Sequence, residues 1–365
     1  MAVPFALGLL LSGCELGPRD EASAHGPPLH IMATYPADGQ GTNASPNAPL
    51  DCDSPTPDCP LPTNLAIELR FDRFLLPGDR IGAGLRLYTG DPDNSIALAP
   101  EYNLIERVVV FRPQQALHPN TLYTAETVTS TDPNLGFWAF DRAPLSEGPV
   151  PLSFSFSTGS GPAPVASLPV APVESCATMI NGPFVSCANC HVTQPGDETV
   201  PPSPPSGITE RVKYPPMGLD LSSPPGLYYT AIQHVAHQTE TGNSVLNQGL
   251  ESPDRFGVQM NVVDPGNPSN SYLMYKLLAK PDNYRLDASE PSCVTGYHAP
   301  VSDGNCQPVS DDEAVQLREW FMRGDPMPEN ATPAPGSAPS VASISHAGLL
   351  RINAWIATGA SCDQH

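Results

Sequence analysis

The first half of the chain alternates apolar and polar residues over short runs that are separated by turn-forming residues. Alternation with a period of two is typical of a β-strand that buries one face. Six short β-rich runs occur, at residues 30–36, 65–71, 85–89, 108–113, 122–128 and 151–158, and several of them alternate in this way. Several short strands at this spacing predict an all-β sandwich over residues 29–159.

The second half changes to the spacing of amphipathic helices, in which apolar residues recur three and four positions apart. In the last such segment Leu349, Ile352 and Ile356 follow this spacing, and Gly359 supplies a helix stop. The predicted helices cover residues 226–238, 270–279, 311–324 and 345–360. We therefore predict a mainly α domain with long loops over residues 175–365.

Residues 160–174 separate the two patterns and are rich in Pro and Ala. Such a segment cannot bury a core and runs in an extended, polyproline-like form. The length of the chain supports the same division, because 365 residues exceed what one hydrophobic core usually organises. The sequence thus predicts a multidomain protein with its boundary in this linker.

The charge balance argues against nucleic acid as a partner. The chain has 17 Lys and Arg against 38 Asp and Glu, a formal net charge of −21. A surface of this sign repels phosphate backbones and anionic lipid head groups. It could also attract basic partners, although solubility alone is an alternative reason for the acidic surface.

An apolar run at residues 5–13 ends at a cysteine. The run is well below the roughly 18 apolar residues that indicate a membrane-spanning helix, so residues 1–13 are interpreted as a signal peptide. Its end, Leu11-Ser12-Gly13-Cys14, resembles the lipobox of bacterial lipoproteins. The alternative is an ordinary cleaved signal peptide followed by an incidental cysteine.

The lipobox resemblance implies that Cys14 is diacylated and becomes the first residue of the mature chain. Glu15 takes the place of the Asp that marks retention in the inner membrane, so the resemblance implies an outer-membrane anchor. Residues 14–28 are polar and rich in Gly, Pro and Ala, as expected of a tether. We expect a cell-envelope protein on the periplasmic or surface side, held at the membrane by lipid alone.

Residues 187–191 read Cys-Ala-Asn-Cys-His, which is the attachment signature of haem c. Thiols three positions apart on one helical turn reach both vinyl groups of a haem, and the adjacent imidazole then faces the iron. The sequence thus predicts one covalent haem on Cys187 and Cys190, with His191 as an iron ligand. Zinc is the rival for these residues, but it needs further Cys or His ligands at suitable spacing.

Asp-Pro-Met-Pro-Glu-Asn at residues 325–330, followed by a last helix, resembles the end of small bacterial class I cytochromes c. The resemblance implies that Met327 is the sixth iron ligand. Prolines on both sides of Met327 restrict its backbone. Met327 packing in a loop is the alternative, and other distal ligands remain open: Met217, Met260, Met274, Met322, His234 and His237.

Further motifs resemble known exported proteins. GLDLSS at 218–223 and DPGNPSNSYLMYKL at 264–277 resemble haem-binding domains of planctomycetes and myxobacteria. YPADG at 35–39, which follows the first strand, and SFSFSTG at 153–159, which forms the closing strand, resemble bacterial Ig-like domains. Together with the lipobox, these motifs identify the chain as similar to bacterial lipoproteins with an N-terminal Ig-like domain and a C-terminal c-type cytochrome domain.

The nine cysteines are consistent with an oxidising compartment. Lipid would take Cys14 and haem would take two more, which leaves six for disulfides. Plausible pairs join Cys52 to Cys59, Cys293 to Cys306 and Cys176 to Cys362, although sequence does not determine the connectivity.

We expect a one-haem electron carrier that exchanges electrons with other redox proteins of the cell envelope. The sequence offers no general base, nucleophile or substrate-shaped group of residues, so an enzyme is not favoured. Two alternatives stay open. The haem could have an open distal position and act on, or sense, peroxide or a gas, or the chain could be a surface adhesion module with a vestigial haem domain.

Overall fold

A computed structural model provides the structure. It describes residues 26–45, 56–76, 79–132, 135–162, 174–185, 187–189, 191–192, 194–195, 212–213, 218–236, 260–279, 312–314, 317 and 344–362. The predicted signal peptide, Cys14 and most of the predicted linker lie outside these residues. Within them, no helix has the length and apolar character needed to cross a membrane.

The N-terminal half forms antiparallel β-structure, as its alternating pattern predicts. The strands are β1 (Ile31–Tyr35), β2 (Ile67–Phe71), β3 (Leu85–Tyr88), β4 (Leu98–Asn103), β5 (Val108–Pro113), β6 (Leu122–Thr127) and β7 (Ser153–Ser157). One sheet has the order β1-β2-β5-β4 and the other the order β3-β6-β7. Every pairing in them is antiparallel, so the coarse fold prediction for this half is confirmed.

Strand β4 is the strand that the pattern did not predict. Its residues LAPEYN are mostly exposed and do not alternate, because β4 is an edge strand that pairs only with β5. Pro100 is tolerated there, since an edge strand can lack one ladder hydrogen bond. The turn from β4 to β5 ends at Arg107, whose φ of 52° is a left-handed conformation. The sequence does not predict this conformation, because the residue is not a glycine.

Aromatic side chains fill the space between the two sheets. Phe137 packs against Phe71 of β2 and Phe111 of β5, with ring centroids 5.0 and 6.1 Å apart. It also closes against Gly84, just before β3, where an added Cβ would lie 2.5 Å from the ring. The absence of a side chain at Gly84 therefore lets one ring join the two sheets.

The C-terminal half contains short helices. They are α1 (Cys176–Ile180), α2 (Pro224–Thr230), α3 (Tyr272–Leu278) and α4 (His346–Ala357), with one 3₁₀ turn at Cys187–Asn189 and another at Pro268–Asn270. Residues 312–314 and 317 are also helical. A two-stranded sheet joins β8 (Gln194–Pro195) to β9 (Val212–Lys213).

One helix ends where the sequence pattern predicts its end, and another ends earlier. Helix α4 ends beside Gly359, whose φ of 102° supports the predicted stop. Helix α2 ends at Thr230, although the pattern predicted a helix to residue 238. The chain beyond it turns extended, because Ile232 and Val235 form β-bridges with Val263 and Asn261. Pairing with a distant segment has overridden the local apolar spacing.

A buried arginine joins the two halves. Arg73, just after β2, donates from Nη2 to Asp141 at 2.8 Å and from Nε to Glu313 at 2.7 Å. Its Nη1 donates to the carbonyl of Pro27, and Glu313 also accepts from the N–H of Phe74 at 3.0 Å. Side chains of Arg73, Asp141 and Glu313 are at most 6% exposed, so this is a buried charge cluster.

The two carboxyl groups respond differently to the shared guanidinium. Burial raises the pKa of Glu313, and the attraction of Arg73 offsets this only in part. Burial also opposes ionisation of Asp141, but hydrogen bonds from Arg73, Gly26 and Ala143 outweigh it and lower its pKa. Asp141 is thus the firmly ionised carboxylate of the cluster, and Glu313 is the one that accepts a proton more readily.

Apolar and polar contacts extend this junction. Phe74 packs edge-on against Tyr275 of α3, with centroids 6.3 Å apart. Nε2 of His346, the first residue of α4, lies 3.9 Å from Oε1 of Glu106 in the turn between β4 and β5. Buried residues of both halves belong to one continuous hydrophobic cluster. The predicted limits of the two domains, residues 29–159 and 175–365, remain a prediction.

Replacing Arg73 by Met should lower the free energy of unfolding at pH 7 by about 3–5 kcal/mol, because two buried carboxylates lose their counter-charge. Without Arg73 the folded-state pKa of both carboxyl groups rises above the unfolded value. The folded state then binds protons more tightly, so the deficit shrinks as the pH falls towards 5. Urea unfolding at pH 5 and pH 7 measures both effects.

The matched control is Arg112→Met, since Arg112 is 57% exposed and lies 3.8 Å from an exposed Glu101. It should change stability by less than about 1 kcal/mol. An Arg73→Met loss no larger than this, or one that deepens at pH 5, would contradict the buried cluster.

Candidate functional site

The candidate site begins at helix α1. Ser175 caps the helix: its Oγ accepts from the N–H of Thr178 at 3.3 Å, and its N–H donates to Oγ1 of Thr178 at 2.8 Å. This reciprocal pair satisfies the first helical N–H groups and starts a helix of only five residues. Cys176 and Met179 form the buried side of α1.

Hydrogen bonds carry the chain from α1 to the Cys-Ala-Asn-Cys-His motif. The N–H of Ala188 donates to the carbonyl of Phe184 at 2.9 Å, and the N–H of His191 donates to the carbonyl of Cys187 at 2.8 Å. The second bond places His191 one turn beyond Cys187. The side chain of Cys187 is half-buried. Cys190 lies outside the described residues.

The imidazole of His191 is oriented by a backbone carbonyl. His191 is 9% exposed, and its Nδ1 lies 3.2 Å from the carbonyl oxygen of Leu219. A carbonyl only accepts, so Nδ1 carries the proton and Nε2 carries a lone pair. The N–H of Leu221 donates to the carbonyl of His191 at 2.9 Å, so the same segment holds both the ring and the backbone.

Electrostatics keep this imidazole neutral. Burial lowers the pKa of His191, and the charge of Lys276 lowers it further. The carbonyl of Leu219 and the charge of Asp220 act in the opposite direction but do not cancel the shift. At neutral pH His191 is therefore unprotonated at Nε2, which is the form that ligates a metal. No described residue makes a hydrogen bond to this nitrogen.

The segment that orients His191 is itself fixed by Asp220. Its Oδ1 accepts from the N–H and Oγ of Ser222 at 2.9 and 2.6 Å, and its own N–H donates to Oγ1 of Thr230 at 2.8 Å. A Cβ at Gly226 would lie 2.5 Å from the Asp220 carboxyl carbon, so glycine lets α2 pack against this loop. The position of the Leu219 carbonyl thus depends on the hydrogen bonds of the next residue, Asp220.

Sequence reasoning did not find the role of this loop. GLDLSS at 218–223 contributes to a family resemblance but does not by itself indicate a contact with His191. The usable signal was local: Asp220 followed two residues later by Ser222 indicates an Asx-turn, and Ser223 before two prolines indicates the helix N-cap seen in α2. Neither signal says that the loop meets His191, which lies 28 residues before Leu219 in the chain.

Helix α4 contacts the chain on both sides of α1, at Glu174 and at Phe184. Trp355 packs edge-on against Phe184, with centroids 5.9 Å apart. Arg351 donates from Nε and Nη2 to both carboxylate oxygens of Glu174, at 2.7 and 3.1 Å. A bidentate pair of this kind sets orientation as well as proximity.

A disulfide between Cys176 and Cys362 fastens the same two elements, so this predicted pair is confirmed. It joins residues that are 186 positions apart. Cys59 is also disulfide-bonded. Its predicted partner Cys52, like the predicted pair of Cys293 and Cys306, lies outside the described residues.

The structure describes some of the candidate distal ligands but not others. Met327 lies outside the described residues, as do the rival ligands Met217, Met322 and His237. Met260 and Met274 are fully buried, whereas His234 is exposed. In the described part of the chain, no group of three or more His, Cys, Asp and Glu side chains could hold a metal ion.

Comparisons with known proteins supply no family. No protein-family model matches the chain, and no curated protein matches it. One aligned structure is an L,D-transpeptidase from Mycobacterium smegmatis, with 15% identity and a TM-score of 0.21 over 36% of this chain and 41% of that one. Another is domains 1–6 of the surface layer protein SbsC, with 7% identity and a TM-score of 0.23 over 36% of this chain and 14% of that one.

A second structure of this S-layer protein, rSbsC(31-844), has 8% identity and a TM-score of 0.24 over 41% of this chain and 16% of that one. The chain therefore spans less than half the length of each of these structures. Scores at this level carry no argument about the fold or activity of the present chain.

These findings contradict the predicted resemblance to lipoproteins with an Ig-like domain and a c-type cytochrome domain. No family model matches the chain, and no metal-holding group of three or more His, Cys, Asp and Glu side chains occurs among the described residues. The assignment was wrong because it rested on short motifs. A motif of five or six residues specifies local chemistry, but it does not specify the fold of a whole domain.

Replacing Gly226 by Ala tests the support of His191. Helix propensity alone would make this change stabilising by about 1 kcal/mol. We expect the opposite sign, a loss of about 1–3 kcal/mol in the free energy of unfolding, because the new methyl group displaces Asp220 and its loop. The control is Gly161→Ala, where no heavy atom lies within 4 Å. Equal stability of the two variants in urea unfolding would show that the loop does not need this close approach.

Proposed function

We propose that the chain binds one haem covalently through Cys187 and Cys190, with His191 as the first axial ligand, and that it transfers electrons in the cell envelope. One observation carries the proposal. His191 stands one turn beyond Cys187, and the Leu219 carbonyl holds Nδ1 of its buried ring, which leaves Nε2 as the nitrogen that would ligate iron. The proposal rests on these residues and not on a family.

The residues fit the chemistry of such a group. A histidine that ligates a metal usually donates its other ring N–H to a carbonyl or carboxylate, which sets the tautomer and the ring plane. Leu219 supplies that acceptor at 3.2 Å. When bound, haem c would supply a one-electron couple between ferrous and ferric iron. The chain's contribution is to hold His191 neutral, buried and in one orientation.

The second axial ligand is proposed from the sequence. Met327 between two prolines remains the preferred candidate, because a thioether held by a restricted backbone is a soft ligand that raises the reduction potential. Met260 and Met274 are alternatives within the described residues. Both are fully buried, as expected of core methionines.

The finer fold and the location follow as part of the same proposal. Two antiparallel sheets that share an aromatic core support a β-sandwich in the N-terminal half. The lipobox-like sequence ending at Cys14 supports a lipid anchor in the outer membrane. The net charge of −21 favours basic redox partners, since opposite charges increase the rate of encounter.

A pyridine haemochrome assay tests the cofactor. Protein produced with the machinery that attaches haem c should carry one covalent haem per chain, and the Cys187→Ala, Cys190→Ala double variant should carry none. Cys59→Ala is a matched control, because Cys59 is a disulfide cysteine of the β-rich half. Colourless wild-type protein, or covalent haem in both the wild type and the double variant, would overturn the proposal.

Carbon monoxide distinguishes an electron carrier from a gas-binding or peroxide-binding protein. A six-coordinate ferrous haem should not bind carbon monoxide at neutral pH, whereas Met327→Ala should open the site and bind it. Met274→Leu replaces the alternative ligand by a residue of similar volume and should leave the site closed to carbon monoxide; binding by this variant alone would assign the distal position to Met274. Rapid binding by the wild type would indicate an open distal position and favour the sensor or enzyme alternative.

A further inference from the structure

A cavity of about 350 Å³ opens in the β-rich half, beside strand β3. One wall comes from β3, the edge strand of the three-stranded sheet, and another from the start of β4, the edge strand of the other sheet. Side chains of Leu85, Ile96, Leu98, Val128 and Leu135 line it. Leu135 is 47% exposed, so an apolar surface is open to solvent here. A cavity of this size is large enough for a small ligand or for part of a peptide.

The backbone of β3 adds hydrogen-bonding groups to this cavity. The carbonyl of Gly84 accepts from the N–H of Val128, so residues 84, 86 and 88 form the bonded pairs with β6. The N–H and carbonyl of Leu85 therefore point to the opposite edge, with which no strand of the described chain pairs. The carbonyl of Leu87 points the same way and accepts from the N–H of Ile96 at 2.7 Å, which supports this orientation.

These two groups of Leu85 belong to a buried residue. Leu85 is 5% exposed and lines the cavity, so its backbone groups face the cavity and not an open surface. An unpaired N–H beside an unpaired carbonyl is a template for a further strand. A residue that pairs with Leu85 would direct its side chain to the same face of the sheet as Leu85, which is the face of the cavity. Backbone pairing and an apolar cavity together specify an extended peptide.

Charge near the cavity indicates the residues that would flank such a peptide. Asp91 and Asp93 are exposed in the loop that follows β3, and the whole chain has a net charge of −21. Arg86 also lines the cavity, but Glu126 of β6 lies directly across from it and offsets its charge. A peptide with basic residues on either side of its apolar residue is therefore attracted, whereas an acidic one is repelled.

We propose that this cavity binds an extended segment of another protein, which adds to β3 as an antiparallel strand. The segment places one apolar side chain in the cavity, exchanges two hydrogen bonds with Leu85 and carries basic residues on both sides. Main-chain bonds supply affinity and the cavity supplies selectivity. This site involves none of the residues proposed to bind haem, so it is a function beyond electron transfer.

The first test titrates the full-length protein with the peptide acetyl-Lys-Thr-Leu-Thr-Lys-amide and measures binding by calorimetry. One peptide should bind per chain. The same peptide with N-methylleucine at its centre cannot donate to the Leu85 carbonyl, and it should bind at least about tenfold more weakly. A peptide with Glu in place of both Lys residues should also bind more weakly, and added salt should reduce that difference.

The second test locates the peptide. Ala97 is exposed and lines the cavity, so Ala97→Trp should fill the space and abolish binding. Ala99→Trp is the matched control, because Ala99 is also exposed, lies two residues further along and does not line the cavity. In ¹⁵N-labelled wild-type protein, the amide of Leu85 should exchange with solvent more slowly once the peptide is bound.

Each result has a definite meaning. The absence of saturable binding by the wild type would overturn the proposal. Equal affinity for the methylated and unmethylated peptides would reject strand pairing without the use of any protein variant. Equal binding by the Ala97→Trp and Ala99→Trp proteins would place the peptide elsewhere and also reject the site. Covalent haem is measured separately on the same protein, so failure of either proposal leaves the other intact.

Discussion

A guanidinium buried between two carboxylates holds the β-rich half of this protein against its helices. Arg73 reaches Asp141 within its own half and Glu313 in the helical residues that follow much later in the chain. Buried charges are costly unless each is paired, so this cluster forms only when both halves are in place. The edge-on contact of Phe74 with Tyr275 places apolar surface beside it. The cluster and this ring contact thus join the sheets to α3 and to the helical residue Glu313.

The site itself is built in layers that each depend on the next. His191 is oriented by a backbone carbonyl, and that carbonyl is positioned by the turn around Asp220. The conformation of this turn depends on the absence of a side chain at Gly226 and on the hydroxyl of Thr230. Helix α4 packs Trp355 against Phe184, shortly before the motif. A fixed arrangement of this kind is consistent with the proposed electron transfer, in which the protein changes little between two oxidation states.

The acidic character of the chain and the burial of His191 act at different ranges. Net charge determines which partners approach, and it acts over about a Debye length of 8–10 Å at ordinary salt. Burial is the largest influence on the pKa of His191, and it acts through local desolvation. The partner preference and the ligand chemistry of this protein can therefore vary independently.

The sequence by itself determined the features that depend on neighbouring residues: alternation predicted the antiparallel strands, apolar spacing predicted α3 and α4, and Gly359 predicted the end of α4. The Cys-Ala-Asn-Cys-His spacing alone identified the candidate site. Only the tertiary structure decided what depends on distant residues. The edge strand β4, the early end of α2, the pairing of Arg73 with Glu313 and the Leu219 carbonyl beside His191 all arise from contacts between segments that no local pattern records. Short motifs also suggested a family that the comparisons contradict, because local chemistry recurs on many folds while a fold is specified by long-range packing.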